Sequence, residues 1–299
     1  MSHDHLSNAK RAKNDEYYTR RIDVETELTH YTSLFSGKVV YSNCDDEGSA
    51  FRDYFVENFH TLGLQGLYCS GIAGKLFEYD GNKATISRID GDFRSSDSKA
   101  IMRQSDIIAT NMPFSLSRMF FSQMLEHGKD FIVIANKNAV SYKEIFPVIK
   151  EGVVRLGFTT PDFFQTPSGE LANLNGLCKW FTTLPTSNKI YSTFTTSISD
   201  RDYQYYDLYP ALNVDRTSEI PCDYAGWMGV PITALDRLDP EKYEIIDLIA
   251  RYAVLDHSYD TLGHQLTEIN ERPRYSRLII RKLNQKNERS LPIEEIVIS

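Results

Sequence analysis

Between residues 39 and 135, short apolar segments alternate with stretches whose apolar residues recur at helical spacing, and few architectures accommodate that order. Val39-Val40-Tyr41, Leu67-Tyr68-Cys69, Asp106-Ile107-Ile108-Ala109-Thr110 and Phe131-Ile132-Val133-Ile134-Ala135 are of strand length. Ser49 is placed to cap a helix carrying Phe51, Tyr54, Phe55, Phe59 and Leu62 on one face. Ser96 or Asp97 is placed to cap a shorter helix through Arg103. Ser115 is placed to cap another, with the stripe Leu116, Met119, Phe120 and Met124, closed by Gly128. A helix is also expected over residues 23–34, and a hairpin over 77–89 that turns at Asp80-Gly81. Strands that alternate with helices pair in parallel through right-handed crossovers, so the expected fold class is α/β.

The second half has a different character. From about Gly157 onward aromatic, Ser, Thr and turn residues dominate. Strands are expected over 180–184, 191–195 and 277–283. A helix is expected over 241–255, where Ile245, Leu248, Ile249 and Tyr252 stand at helical spacing. The expected organisation is a polar leader over 1–14, a core over 15–156, and a C-terminal part over 157–299 that includes a late core strand. With 299 residues the chain is long enough to bury a core without covalent staples.

Bulk properties exclude several classes. No apolar run reaches membrane-spanning length, and the N-terminus lacks the apolar stretch of a secretory signal. Cys44, Cys69, Cys178 and Cys222 show no metal-ligand spacing, and the seven histidines form no HxxxH pair. A reduced, cytoplasmic protein without a metal is expected. The net charge of −8 argues against a surface that binds nucleic acid everywhere, so any such contact has to be local. Residues 272–289 are the densest cationic run, with Arg274, Arg277, Arg281 and Lys282 among them. That run reads either as a solvated tail or as a phosphate-contacting arm.

One polar tetrapeptide, Asn111-Met112-Pro113-Phe114, follows the carboxyl end of an expected strand, where open α/β sheets hold their ligands. Its composition suits methylation of an exocyclic amine. The adenine N6 lone pair is delocalised into the ring, and a site that accepts both amine hydrogens draws it toward tetrahedral geometry. The Asn111 amide oxygen supplies one acceptor and the Met112 carbonyl the other. Pro113 restricts the backbone of Met112, and Phe114 offers a ring for a base extracted from the duplex. The plainer alternative is a strand exit before a helix.

This tetrapeptide resembles motif IV of the amino-methyltransferases, Asp/Asn/Ser-Pro-Pro-aromatic. Over residues 13–282 the chain resembles the EcoRI-type adenine-specific DNA methyltransferases, through the blocks KNDEYYT, KVVYSNCDD, GDFRSSDS, ATNMPFSLSRMFF, IANKNAVSYKEIFP, DYAGWMGVPITALD and RYSRLIIRK. The resemblance implies a Rossmann-like S-adenosylmethionine-dependent methyltransferase fold with a C-terminal DNA-recognition region. It implies double-stranded DNA as substrate, S-adenosyl-L-methionine as methyl donor, and a companion restriction endonuclease encoded separately. Tyr18 and Thr19 then belong to the block that covers the methionine part of the donor. Asn43, Cys44, Asp45 and Asp46 form the donor-binding loop, and Asp92 and Phe93 hold its adenine. Read locally, Asp45 or Asp46 serves equally as a helix cap, and Asp92-Phe93 as a helix-leading turn. Met112 stands where the motif has its first proline, which keeps the carbonyl but loses rigidity. Two other readings therefore stand beside the first: a degenerate relative that only binds DNA or donor, and an enzyme acting on RNA or protein glutamine.

Overall fold

The computed structural model describes residues 17–166, 169–174, 176–250, 253–254, 268–270, 272–273 and 276–283. The leader over 1–14 and Arg274 lie outside them. The chain forms two compact units that divide between Lys189 and Ile190. The sequence pattern changes character near residue 156, but strands that complete the first unit continue well past that point.

The first unit opens with β1 (Tyr18–Thr19) and helix α1 (Arg21–Leu28), which runs on as a 3-10 helix over Thr29–Leu34. Strand β2 (Val39–Ser42) leads to α2 (Ala50–Glu57), whose first turn is capped by the Ser49 hydroxyl accepting from the Arg52 N–H at 3.2 Å. Short α3 (Phe59–Leu62) ends in left-handed Gly63 and returns the chain into β3 (Gly66–Ser70). A hairpin follows, β4 (Lys75–Tyr79) and β5 (Ala84–Arg88), turning at Asp80–Lys83 as expected. Helix α4 (Ser96–Gln104) is capped by Ser95, one residue before the first residue expected to do so. Then come β6 (Ile107–Asn111), α5 (Ser117–Glu126), β7 (Asp130–Asn136), α6 (Phe146–Lys150), β8 (Arg155–Leu156), β9 (Phe163–Gln165), β10 (Leu171–Asn173) and β11 (Cys178–Thr182). Ser115 does not cap α5: a 3-10 turn over Phe114–Leu116 intervenes, and the helix begins without a side-chain cap.

Eight strands form one mixed sheet in the order β5-β4-β3-β2-β6-β7-β11-β8. β3, β2, β6 and β7 run parallel, and the hairpin and β11 flank them antiparallel. The connection from β2 goes outward to β3, then the chain returns to place β6 on the other side of β2. That reversal creates a crevice between the carboxyl ends of β2 and β6. Helices α1, α2 and the sheet close over Val24, Leu28, Phe35, Phe51, Phe55 and Trp180, all buried. A second, three-stranded sheet, β1-β9-β10, pairs Thr19 with Phe164.

One buried carboxylate ties the N-terminal helix to a distant loop. Glu27 accepts from the Phe158 N–H at 2.8 Å, the Thr159 N–H at 2.7 Å, the Thr159 hydroxyl at 2.6 Å and the Tyr31 hydroxyl at 2.9 Å. A side chain at Gly157 would collide with that carboxylate.

The second unit is built on a five-stranded sheet. Its strands are β12 (Leu212–Asn213), β13 (Trp227–Pro231), β14 (Tyr243–Ala250), β15 (Ala253–Val254) and, after the separate pair β16 (Glu268–Ile269) and β17 (Arg272–Pro273), β18 (Arg277–Lys282). The order is β12-β13-β18-β14-β15, with β18 at the centre. The late strand is therefore the middle of this second sheet and is no part of the large one. Two sequence expectations fail here. Residues 191–195 form no strand, and the described part of the expected helix over 241–255 holds the strands β14 and β15. A bulge between Ile245 and Asp247 shifts the alternation, so that Tyr243, Asp247, Leu248 and Ile249 are buried. A bulged strand thus imitates helical spacing, and the β-branched content decides between them.

Candidate active site

Of the segments singled out in the sequence, those at 43–46, 91–93 and 111–114 lie toward the carboxyl ends of β2, β3 and β6. Asp45 leaves β2 and donates its backbone N–H to the Ser70 carbonyl at 2.8 Å. Asp46 Oδ2 lies 3.5 Å from the Ala73 N–H. The loop before α4 crosses close by: a Cβ built on Gly91 would fall 1.8 Å from the Gly71 carbonyl oxygen, so only glycine fits. A cleft of about 110 Å3 is lined here by Asp46, Glu47, Arg52, Ala73, Lys75 and Phe77.

Thr110, the last fully buried residue of β6, couples the two strands that border the crevice. Its hydroxyl donates to Asp45 Oδ2 at 2.5 Å and accepts from the Cys44 N–H at 3.1 Å. Burial pushes the Asp45 carboxyl up to about 7, against the opposing pull of hydrogen bonds from Thr110, Ser49 and the Asn111 backbone. Burial also raises the Cys44 thiol well above its usual range, with the Asp45 charge adding to it. Cys44 is therefore a protonated packing group. Neither Asp45 nor Asp46 caps α2, because Ser49 does.

Asn111 ends β6. Its amide nitrogen donates to the Tyr17 carbonyl at 2.6 Å, and its Oδ1 is buried without a partner. The reverse amide orientation would set two acceptors against each other, so the oxygen is the atom left available. Tyr17 itself is held in place because the following residues, Tyr18 and Thr19, pair with Gln165 and Phe164 on β9. Met112 is buried, unlike a proline at a strand exit. Pro113 is extended, and the Phe114 ring is half-buried and meets Phe164 edge-on with centroids 6.4 Å apart. The tetrapeptide is thus a strand exit, as the plainer reading has it, with its one amide oriented by a second chain segment.

The remaining predicted residues divide. Thr19 is buried with an unpartnered hydroxyl, and so are Ser42 Oγ and Asn43 Nδ2 at the end of β2. Tyr18 is about half exposed. Asp92 is gripped by Arg94 through Nε at 2.8 Å and Nη2 at 2.5 Å, which holds its carboxyl below the usual range. Phe93 is buried against Phe120, and its carbonyl accepts from Gln123 at 2.9 Å, so its ring is core and not an open face.

Three cations of the basic run, Arg277, Arg281 and Lys282, are engaged within the second unit. Arg277 is buried and reaches Asp215 at 3.3 Å and Asn213 at 3.4 Å. Arg281 pairs with Glu244 across β18 and β14, and Lys282 donates to the Cys222 carbonyl. These three are side chains of a central strand, which removes the picture of a free cationic arm for them. Thr110, the Tyr17 carbonyl, and Gly71 with Gly91 escaped the sequence reading. A polar residue closing an otherwise apolar strand was the available sign for Thr110; the others depend on tertiary approach alone.

Among the described residues no group of acidic, cysteine or histidine side chains is arranged to hold a metal, and no helix is long and apolar enough to cross a membrane. Comparison with known proteins supplies the remaining evidence. The family model described as adenine-specific methyltransferase EcoRI matches residues 5–86 and 79–283. The chain is 38% identical over 292 residues to the type II methyltransferase M.EcoRI of Escherichia coli, covering 81% of this chain and 88% of that protein. It is 33% identical over 313 residues to the type II methyltransferase M.MgeORF184P of Mycoplasma genitalium, covering 93% and 98%. A relative in Mycoplasma pneumoniae, the type II methyltransferase M.MpnI, is 32% identical with the same coverage. No solved structure gives a significant match. With the family model spanning nearly the whole chain and relatives matched over most of their length, this chain belongs to the EcoRI-type adenine-specific methyltransferase family and is a DNA methyltransferase.

Proposed function

We propose that the protein methylates adenine N6 at a defined site in double-stranded DNA, with S-adenosyl-L-methionine as donor and a Rossmann-like first unit as scaffold. The observation that carries this reading is the Asn111 amide, whose nitrogen is fixed by the Tyr17 carbonyl while its oxygen is unpartnered. An orphaned buried acceptor at a strand exit has a free-energy cost unless a ligand satisfies it. An amine presenting two hydrogens satisfies it, with the Met112 carbonyl taking the second. Phe114, on the same loop, offers its ring to the extruded base.

The carboxyl end of β2 fits the donor. Ser42 Oγ, Asn43 Nδ2 and Thr19 Oγ1 are buried polar atoms awaiting partners, and Asp46 and Glu47 line an adjoining cleft with carboxylates suited to an ammonium or ribose hydroxyls. Asp45 accepts from Thr110 and the Asn111 backbone, which suits it to positioning β6 against β2. The donor supplies a methyl group activated on a sulfonium. Asn111 and Met112 orient the amine, and the hydrogen-bonded acceptors ease loss of its proton as the nitrogen becomes tetrahedral.

Asn111→Ala tests this. The variant should bind donor like the parent and transfer methyl groups to duplex DNA roughly a hundredfold or more slowly, about 3 kcal/mol. Wild-type turnover in a single-turnover assay would refute the assignment. Parallel assays on RNA and on glutamine-containing peptides separate the alternative substrates, and a donor-binding chain with no transfer to any of them would be the degenerate relative.

A further inference from the structure

We propose that Arg118, stacked on Tyr142, and Lys143 form a bracket that takes phosphates of the duplex beside the catalytic loop. The proposal rests on the reading of the protein as an enzyme of duplex DNA and says where part of its backbone grip lies.

Arg118 is an exposed residue in the first turn of α5, and its guanidinium lies 4.5 Å from the centroid of the Tyr142 ring. The Tyr142 hydroxyl lies 3.3 Å from Ser117 Oγ, which donates to the Phe114 carbonyl at 2.9 Å. Two short contacts therefore connect the cation–aromatic pair to the tetrapeptide that ends β6. Lys143 follows Tyr142 and is exposed. Among the described residues, neither Arg118 nor Lys143 has a carboxylate partner. Glu144 comes next in sequence, but its Oε2 is buried.

This differs from the cations of β18, where Arg277, Arg281 and Lys282 each have a partner within their own unit. It differs equally from Arg20, Arg21 and Arg94, each paired with an acid. A net charge of −8 requires attraction to a polyanion to be concentrated where cations lack internal partners. Stacking on Tyr142 holds the guanidinium plane while leaving its N–H groups to a ligand, so less side-chain freedom is lost on binding. A phosphate is the group that a planar fork binds, and the ammonium carried one residue beyond Tyr142 suits the same backbone. Its place next to Asn111–Phe114 sets it against the strand that carries the target nucleotide.

The experiment measures binding of the full chain to a duplex containing its target and to a random duplex, from low to moderate salt, for the parent, Arg118→Ala, Lys143→Ala and the double variant. Each single change should lower the log–log salt slope by roughly one unit, and the double by about two. The double variant should bind both duplexes roughly tenfold or more weakly at low salt, by similar factors, with donor affinity unaltered. Arg118→Lys should keep the slope and recover part of the affinity. Unchanged slopes in variants of a parent that binds and methylates DNA would overturn the bracket while leaving the proposed function in place. Loss confined to the target duplex would also overturn it, since it would mean base readout. A parent that neither binds nor methylates duplex DNA would overturn both readings.

Discussion

Replacing Asp45 with Asn should flatten the pH dependence of stability. Asp45 is buried, and burial raises its carboxyl from 3.8 to about 7 despite the Thr110 hydroxyl at 2.5 Å. Between about pH 4 and pH 7 the folded chain therefore keeps a proton that the unfolded chain has released. Stability is fully present below the unfolded value and falls as pH rises through the folded one. A displacement of roughly three units, at about 1.4 kcal/mol each, corresponds to about 4 kcal/mol across that window. An asparagine has the shape of the protonated acid and keeps an acceptor for Thr110, but it cannot ionise. The variant should match the parent near pH 4 and exceed its stability at pH 8 by up to that amount. The check is urea unfolding of both chains at intervals from pH 4 to pH 8, compared as the difference between them so that other titrating groups cancel. A difference that stays constant with pH would refute the reasoning and mean that Asp45 is charged throughout.

Other outcomes follow from the same geometry. Glu27→Gln replaces a carboxylate that accepts four hydrogen bonds with an amide that presents two donors, and should lower stability by about 2 kcal/mol, read from the urea midpoint. Arg277→Ala should destabilise the second unit by about 2 kcal/mol, because it removes the buried guanidinium that bonds both Asp215 and Asn213 Oδ1; its salt slope for DNA should stay that of the parent. Met112→Pro restores the double proline of the motif but removes a buried side chain, so thermal unfolding should show a loss of about 2 kcal/mol even where turnover survives.

The first half of the fold was legible because its signals are local. Strands 39–42 and 130–136 are continuous apolar runs, Ser49 is a cap with a usable hydroxyl, and Asp80–Lys83 is a turn by its own chemistry. The tetrapeptide was legible as a strand exit because a proline follows an apolar run, and the unpartnered oxygen that supports the proposed role of Asn111 shows only in three dimensions. The second unit resisted for a physical reason: β14 contains a bulge, and its two registers superpose into a false helical period. Cationic density in 272–289 left the state of these side chains open, since charge in a sequence does not reveal that Asp215 and Glu244 lie within reach of Arg277 and Arg281. Tyr17 lies in the block KNDEYYT, yet what it gives Asn111 is a main-chain carbonyl that any residue would supply. Such a contribution leaves no mark in side-chain identity.

The hydrogen bond from Asn111 to Tyr17 spans 94 positions, and the strand that holds Tyr17 in place pairs with residues 164 and 165. Seen as a sequence of events during synthesis, residues 18 and 19 have no strand to pair with until the segment near 165 has emerged. The large sheet has four parallel strands in hand by residue 136, well before the Asn111 amide is oriented. Loop closure over such distances is slow relative to forming helices and hairpins. Orientation of the Asn111 amide is consequently among the last steps in forming the first unit, and under the proposed function a nascent chain with that unit nearly complete still cannot modify the DNA around it.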